Sequence, residues 1–129
     1  MKKIILDTNF LLIPYQFKVD IFSEIDRILD TKYNICILNK TINELNNLVE
    51  KSRGKDKKAA QLALKLIQHK NPEIIKTKIN YVDKAILNIA KKQTHIIATQ
   101  DKELKKTLQA RGIPIIVLRQ KRYLQLKQT

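Results

Sequence analysis

Residues 95–119 read HIIATQDKELKKTLQARGIPIIVLR, and this stretch decides the class of fold. Ile96 to Thr99 is a short apolar run of strand length, and Ile115 to Leu118 is another. Between them Asp101 to Ala110 reads as a helix, ended by Gly112, the residue type that best accepts the left-handed turn after a helix. Strand, helix, strand is the unit of a parallel sheet, because parallel neighbours need a crossover between them. The same alternation continues towards the N-terminus. Lys3 to Leu6 and Ile35 to Leu38 are short apolar strands. Helical spacing appears over Ile21 to Leu29, over Thr41 to Glu50 with Ile42, Leu45, Leu48 and Val49 on one side, over Ala59 to His69, and over Val82 to Lys92. Pro14 breaks the segment after the first strand, and Asn71-Pro72 stops the helix before it. The segment KSRGKDKK, 51–58, reads as a basic loop around Gly54, and 73–81 has no clear period. The sequence therefore predicts an α/β domain over 1–118 with a mostly parallel sheet. The basic tail RQKRYLQLKQT, 119–129, is expected to be loosely held.

A chain of 129 residues fits one domain and can bury a core without staples. Its single cysteine, Cys36, makes neither an internal disulfide nor a metal cluster, so a reducing, cytoplasmic setting is expected. No run approaches the roughly 20 apolar residues of a membrane span. The opening MKKIILDTNFLLIPYQF is not read as a signal peptide, since Asp7 and Asn9 interrupt it and no small-residue cleavage site follows. Twenty-six lysines and arginines against 12 acids give a formal charge of +14. That excess points to a polyanionic partner, nucleic acid first, and not to a membrane. The alternative is that it serves only solubility or reflects lysine enrichment at high growth temperature.

Four of the few acids stand beside apolar positions. Asp7 follows the strand ending at Leu6, and Asp101 lies just past Thr99. Asp83 opens the helix from Val82 and shares a side with Ile86, Leu87 and Ala90. Glu44 lies in the first turn of the helix from Thr41. Each has a bland explanation: an Asx turn at Asp7, a capping box pairing Thr41 with Glu44, helix caps at Asp83 and Asp101. Jointly they fall at one end of their elements, where a parallel sheet gathers ligand sites. Four converging carboxylates repel unless a cation intervenes, and oxygen ligands select magnesium or manganese over zinc. His69 and His95 are in no spaced pair and are expected at the surface or a strand edge. An acidic metal site on a basic protein suits phosphodiester chemistry. There is no GxGxxG, no P-loop and no partnered serine.

These residues resemble a PIN domain. The resemblance is carried by KIILDTNFLL (3–12), TINEL (41–45), YVDKAILNIA (81–90) and the 95–119 segment, in the family's order. The form is most similar to archaeal PIN proteins related to the eukaryotic nuclease that trims small-subunit ribosomal RNA, with the virulence-associated C toxins further off. The resemblance implies a three-layer α/β/α fold and a magnesium- or manganese-dependent endoribonuclease. By position it implies Asp7, Glu44, Asp83 and Asp101 as the catalytic and metal-holding acids, supported by Asn9 and Thr99. Where many relatives carry a further acid, this chain has Lys84. That leaves fewer carboxylates for a second metal and offers a phosphate contact instead.

RNA contacts are expected from Lys51, Arg53, Lys55, Lys57 and Lys58, which follow the helix of Glu44, and from Arg119 and Arg122 with Tyr123 in the tail. The alternative is a solvated loop and a frayed end. Functionally, an endoribonuclease acting on structured RNA, including a ribosomal precursor in a ribosome or pre-ribosome setting, competes with three readings. One is a non-catalytic RNA-binding or ribosome-assembly protein, whose mark would be a missing acid. Another is a toxin held by an inhibitory antitoxin. The third, a phosphoacceptor receiver, wants an acid pair after the first strand that Ile4-Ile5-Leu6 does not supply. Homodimerisation is implied by the family alone.

Overall fold

A computed structural model describes residues 1–128. The first strand, β1 (Lys2–Leu6), is followed by two single turns, α1 (Thr8–Leu11) and α2 (Ile13–Phe17), and by α3 (Ile21–Ile28). β2 (Tyr33–Leu38) leads into a helical hairpin, α4 (Asn39–Lys51) and α5 (Gly54–Lys70), and then the short β3 (Glu73–Ile75). The remainder is α6 (Val82–Ile89), β4 (His95–Ala98), α7 (Lys102–Ala110), β5 (Ile115–Arg119) and β6 (Tyr123–Lys127). One sheet runs β3-β2-β1-β4-β5-β6, parallel throughout except for the antiparallel β5–β6 pair. β1 sits between β2 and β4, with Ile4 opposite Ile35 on one side and Ile96 on the other.

Alternation along the strands divides the core into two layers. Ile4, Leu6, Ile37, Ile96, Ala98 and Ile116 face α1 to α5. Ile5, Cys36, Leu38, Ile97 and Ile115 face α6 and α7. Both faces of the sheet are covered, which is why its strands are continuously apolar. The fold is thus the three-layer α/β/α arrangement expected. No helix among the described residues is long and apolar enough to cross a membrane.

Four expectations outside the acidic residues change. The presumed basic loop is helical from residue 54: Gly54, at φ 62, turns the chain, and α5 runs on through 55–58 to the buried Ala59 and Ala60. The run of charge masks this helix in the sequence, although the helix propensity of lysine is good. α6 ends at Ile89 rather than at Lys92. His95 is buried, not at the surface: its Nδ1 accepts from the Lys91 amide at 3.1 Å, and burial pushes its pKa down.

The tail is the fourth. Residues 123–127 form the edge strand β6, while Thr129 lies outside the described residues. Leu124 is 1% exposed and enters the α1–α5 core layer. Its amide donates to Glu24 Oε1 at 2.9 Å and its carbonyl accepts from Arg27 Nη2 at 3.1 Å. A buried leucine with both backbone groups bonded anchors the tail. We expect Leu124→Ala to lower unfolding stability in urea by about 2–4 kcal/mol. A loss below about 0.5 kcal/mol, the scale of a surface change, would mean that β6 is only loosely attached.

Candidate functional site

Asp7 leaves β1 at the carboxyl end of the sheet, and its neighbour across the strand order is β4. The chain runs to opposite sides from this pair, β1 connecting towards β2 and β4 towards β5, so a crevice opens at the strand ends. Three hydrogen bonds fix Asp7 there. Its amide donates to the Ala98 carbonyl at 2.9 Å, Oδ1 accepts from the Thr8 amide at 2.8 Å, and Oδ2 accepts from the Thr99 hydroxyl at 2.6 Å. Thr99 in turn accepts the Asp101 amide at 3.0 Å, so one buried hydroxyl aligns two acids. Asn9 Oδ1 accepts the Gln100 amide at 3.1 Å and pins the chain between them. Asp101 also caps α7 through the Leu104 amide at 3.1 Å.

Glu44 arrives differently from the capping box envisaged. α4 begins at Asn39, so Thr41 is already inside the helix, and its buried hydroxyl has no partner among the described residues. Glu44 instead accepts the Thr8 hydroxyl, one residue from Asp7. Asp83 makes no cap bond either. It is exposed rather than sharing the buried side of Val82, Ala85 and Ile86.

All four acids line one shallow pocket of about 280 Å³ with Thr8 and Asn9, walled by Leu12, Tyr81 and Val82. Among the described residues no lysine or arginine lines it. Burial pushes the Asp7 carboxyl above its ordinary value, and the charges of Glu44 and Asp101 push it further, against the lowering effect of Thr99 and Thr8. The acids share a pocket without forming a closed ligand set: among the described residues no three side chains of metal-binding type are arranged around one ion.

The cationic residues expected to meet RNA are not in this pocket. Lys51 ends α4, and Arg53, Lys55, Lys57 and Lys58 are exposed at the α4–α5 turn and the start of α5. Lys84 stands 5.0 Å from the centre of the Tyr81 ring, next to the pocket wall. Arg119 ends β5 and Arg122 is exposed in the turn to β6. Sequence reasoning missed the Thr8–Glu44 contact and the wall residue Tyr81. Tyr81 is 64% exposed beside the acids, and its place just before Asp83 was the signal available.

Residues 4–121 match the family described as PIN like domain. The chain belongs to this family. It is 43% identical over 129 residues to the ribonuclease VapC4 of Methanocaldococcus jannaschii, covering 98% of this chain and 97% of that protein. It is 34% identical over 116 residues to the ribonuclease VapC9 of Archaeoglobus fulgidus, covering 90% and 82%. Among solved structures, the PIN domain endonuclease Utp24 superposes with a TM-score of 0.76 at 24% identity, over 98% of this chain and 92% of that one. A domain of a functionally unknown Methanocaldococcus jannaschii protein gives 0.62 at 18% identity, over 92% of each. These two likenesses bear on the fold.

An acid whose folded pKa is raised binds its proton more tightly when folded. Stability from Asp7 is therefore full below its unfolded value, near 3.8, and is lost as pH rises through the folded value. Asp7→Asn removes that loss. Without added metal at neutral pH we expect it to raise the unfolding temperature by a few degrees. The advantage should vanish below about pH 4. A lower melting temperature at neutral pH would contradict the cost of burying the ionised carboxylate among other acids.

Proposed function

We propose that this PIN-domain protein is a divalent-metal-dependent endoribonuclease that hydrolyses phosphodiester bonds in structured RNA. Asp7, Glu44, Asp83 and Asp101 are its catalytic and metal-holding residues. One observation carries this reading: four carboxylates line a pocket in which, among the described residues, there is no lysine or arginine, on a chain of formal charge +14. Two relatives named as ribonucleases support it.

The pocket's chemistry fits a hard cation. Its charged groups are all carboxylates, which favours Mg²⁺ or Mn²⁺. Burial first, and the charges of Glu44 and Asp101 second, disfavour the ionised Asp7 carboxylate, and a bound cation would favour it. When bound, such an ion neutralises charge on the phosphate and makes water a stronger nucleophile. The rest is the work of this chain. Thr99 and the Thr8 amide hold both Asp7 oxygens, fixing the carboxylate in one orientation. Asn9 and Thr99 hold the 99–101 backbone so that Asp101 stands beside Asp7. Asp83 is exposed and keeps the rotamer freedom to close on an ion. Glu44, tethered by the Thr8 hydroxyl, serves to orient the attacking water and take its proton. Lys84 is available for a substrate phosphate.

We expect cleavage of a structured RNA mixture with manganese and none with chelator. Asp101→Asn should lower the rate by about 10²-fold or more. Thr99→Val, which frees Asp7 without removing an acid, should cost about 10–100-fold. Equal cleavage by the parent protein and Asp101→Asn would overturn this site.

Two biological settings differ in the target. Trimming of a ribosomal precursor is one. A second, the toxin ribonuclease of a toxin–antitoxin pair, is favoured by the names of both curated relatives. It predicts growth arrest on expression of the protein alone, absent with Asp101→Asn. Indifference of the host to the active protein would return weight to the processing role.

A further inference from the structure

A second concave surface lies on the other side of Asp101. Asp101 lines the acidic pocket and caps α7, and the helix then leads away from the site. Lys105 and Lys106 lie three and four residues after Lys102, so both neighbour it on one side of that helix. They face Arg119 and Lys127, which stand on the last two strands. The space between is a cleft of about 430 Å³ floored by Ile115 and Val117.

The cleft exists because β6 is covered on one face only. Leu124 points into the α1–α5 layer, where Glu24 and Arg27 of α3 bind its backbone. Residues 123, 125 and 127 therefore point to the α7 side. In register, Tyr123 pairs with Arg119, Gln125 with Val117 and Lys127 with Ile115. α7 packs through Leu104 and Leu108 into the layer that also holds Ile115 and Val117, leaving the β6 side open.

Among the described residues none of these five cations is in a salt bridge, and the one carboxylate lining the cleft is Glu103. Burial pushes the Lys105 ammonium below its ordinary value, and Lys127, Arg119 and Lys102 push it further. The cations face one another with too little negative charge between them.

We propose that this cleft binds the phosphate backbone of the single-stranded RNA segment that passes Asp101 on its way out of the acidic pocket. The proposal rests on the ribonuclease reading above. A polymer cut beside Asp101 must continue on both sides of the cut, and the cleft starts there. α7 has nine residues, about 13 Å of helix, which suits a short run of phosphates. Tyr123, 39% exposed and opposite Arg119, offers a face for one base to stack on. An acidic protein would match the charge but not the continuity with the pocket.

The test uses a short fluorescein-labelled single-stranded RNA and the full chain carrying Asp101→Asn, so that the probe is not cut. Adding Lys105→Gln with Lys127→Gln should weaken binding about tenfold at low salt. It should flatten the log–log salt slope by about 1.4, roughly 0.7 per lost phosphate contact. With Asp101 intact, the same pair should lower kcat/KM on structured RNA by a similar factor. A second pair, Lys102→Gln with Lys106→Gln, changes only exposed side chains and should act in the same direction if the first pair disturbs folding. Unchanged affinity and slope in both pairs overturn the proposal and leave the cleft to an acidic protein partner. If the parent protein cleaves no RNA with either metal while the glutamine pairs still lose affinity, the cleft stands and the nuclease reading falls.

Discussion

The hydrogen bond from the Thr99 hydroxyl to the Asp7 carboxylate, 2.6 Å long and buried, ties the end of β4 to the end of β1. It is the contact on which the site depends. Asp7 is 6% exposed, and a buried carboxylate without hydrogen bonds would not stay ionised. Thr99 supplies one bond, and by accepting the Asp101 amide it also sets where the next acid stands. The parallel register of β1 with β4, Leu6 opposite Ala98, brings the two residues that follow, Asp7 and Thr99, level with one another. A slip of one residue would turn alternate side chains to the wrong face and separate them. The apolar pattern that holds the register in place, Ile4-Ile5-Leu6 against Ile96-Ile97-Ala98, is thus also what aligns the acids.

Charge is divided with the same economy. The chain is strongly basic, yet among the described residues no lysine or arginine lines the acidic pocket, and the two strand-end acids are held by hydroxyl and amide donors. Neutral donors orient a carboxylate without neutralising it. The pocket therefore keeps a negative potential on a chain whose formal charge is +14. A lysine pairing with Asp7 would make the protein more stable and would cancel that potential.

Much of this was legible because two periodicities carry it. The strand–helix–strand segment 95–119 showed the parallel class, and the acids just after Leu6 and Thr99 followed from strand ends alone. The misreadings have specific causes. At Thr41 and Glu44 the capping-box pattern was present, but α4 starts two residues earlier at Asn39, because the chain turns helical directly out of β2. At 54–58 charge masked a helix held by the alanines that follow it. In the tail, Tyr123-Leu124-Gln125-Leu126-Lys127 does alternate with period two, yet the flanking lysines and arginines dominated the reading. An edge strand needs only one apolar face, and charges on the other discourage pairing with further chains. The Thr8–Glu44 contact joins α1 to α4, 36 residues apart, and no local pattern reports such a pairing.

That edge strand gives the α7 side of the molecule its character. If β6 were frayed, Lys127 would be a mobile charge and Arg119 would end the sheet against solvent. Held by Leu124 from beneath, β6 fixes Lys127 opposite Lys105, and the Arg119 guanidinium is steadied by Gln125 Oε1 at 2.7 Å. Fixed cations bind a phosphate chain with less loss of side-chain entropy than mobile ones, so the anchoring and the field act together. The contact that orders the tail lies on the face away from the cleft. Order on the α3 side and exposure on the α7 side are therefore consequences of one alternating strand.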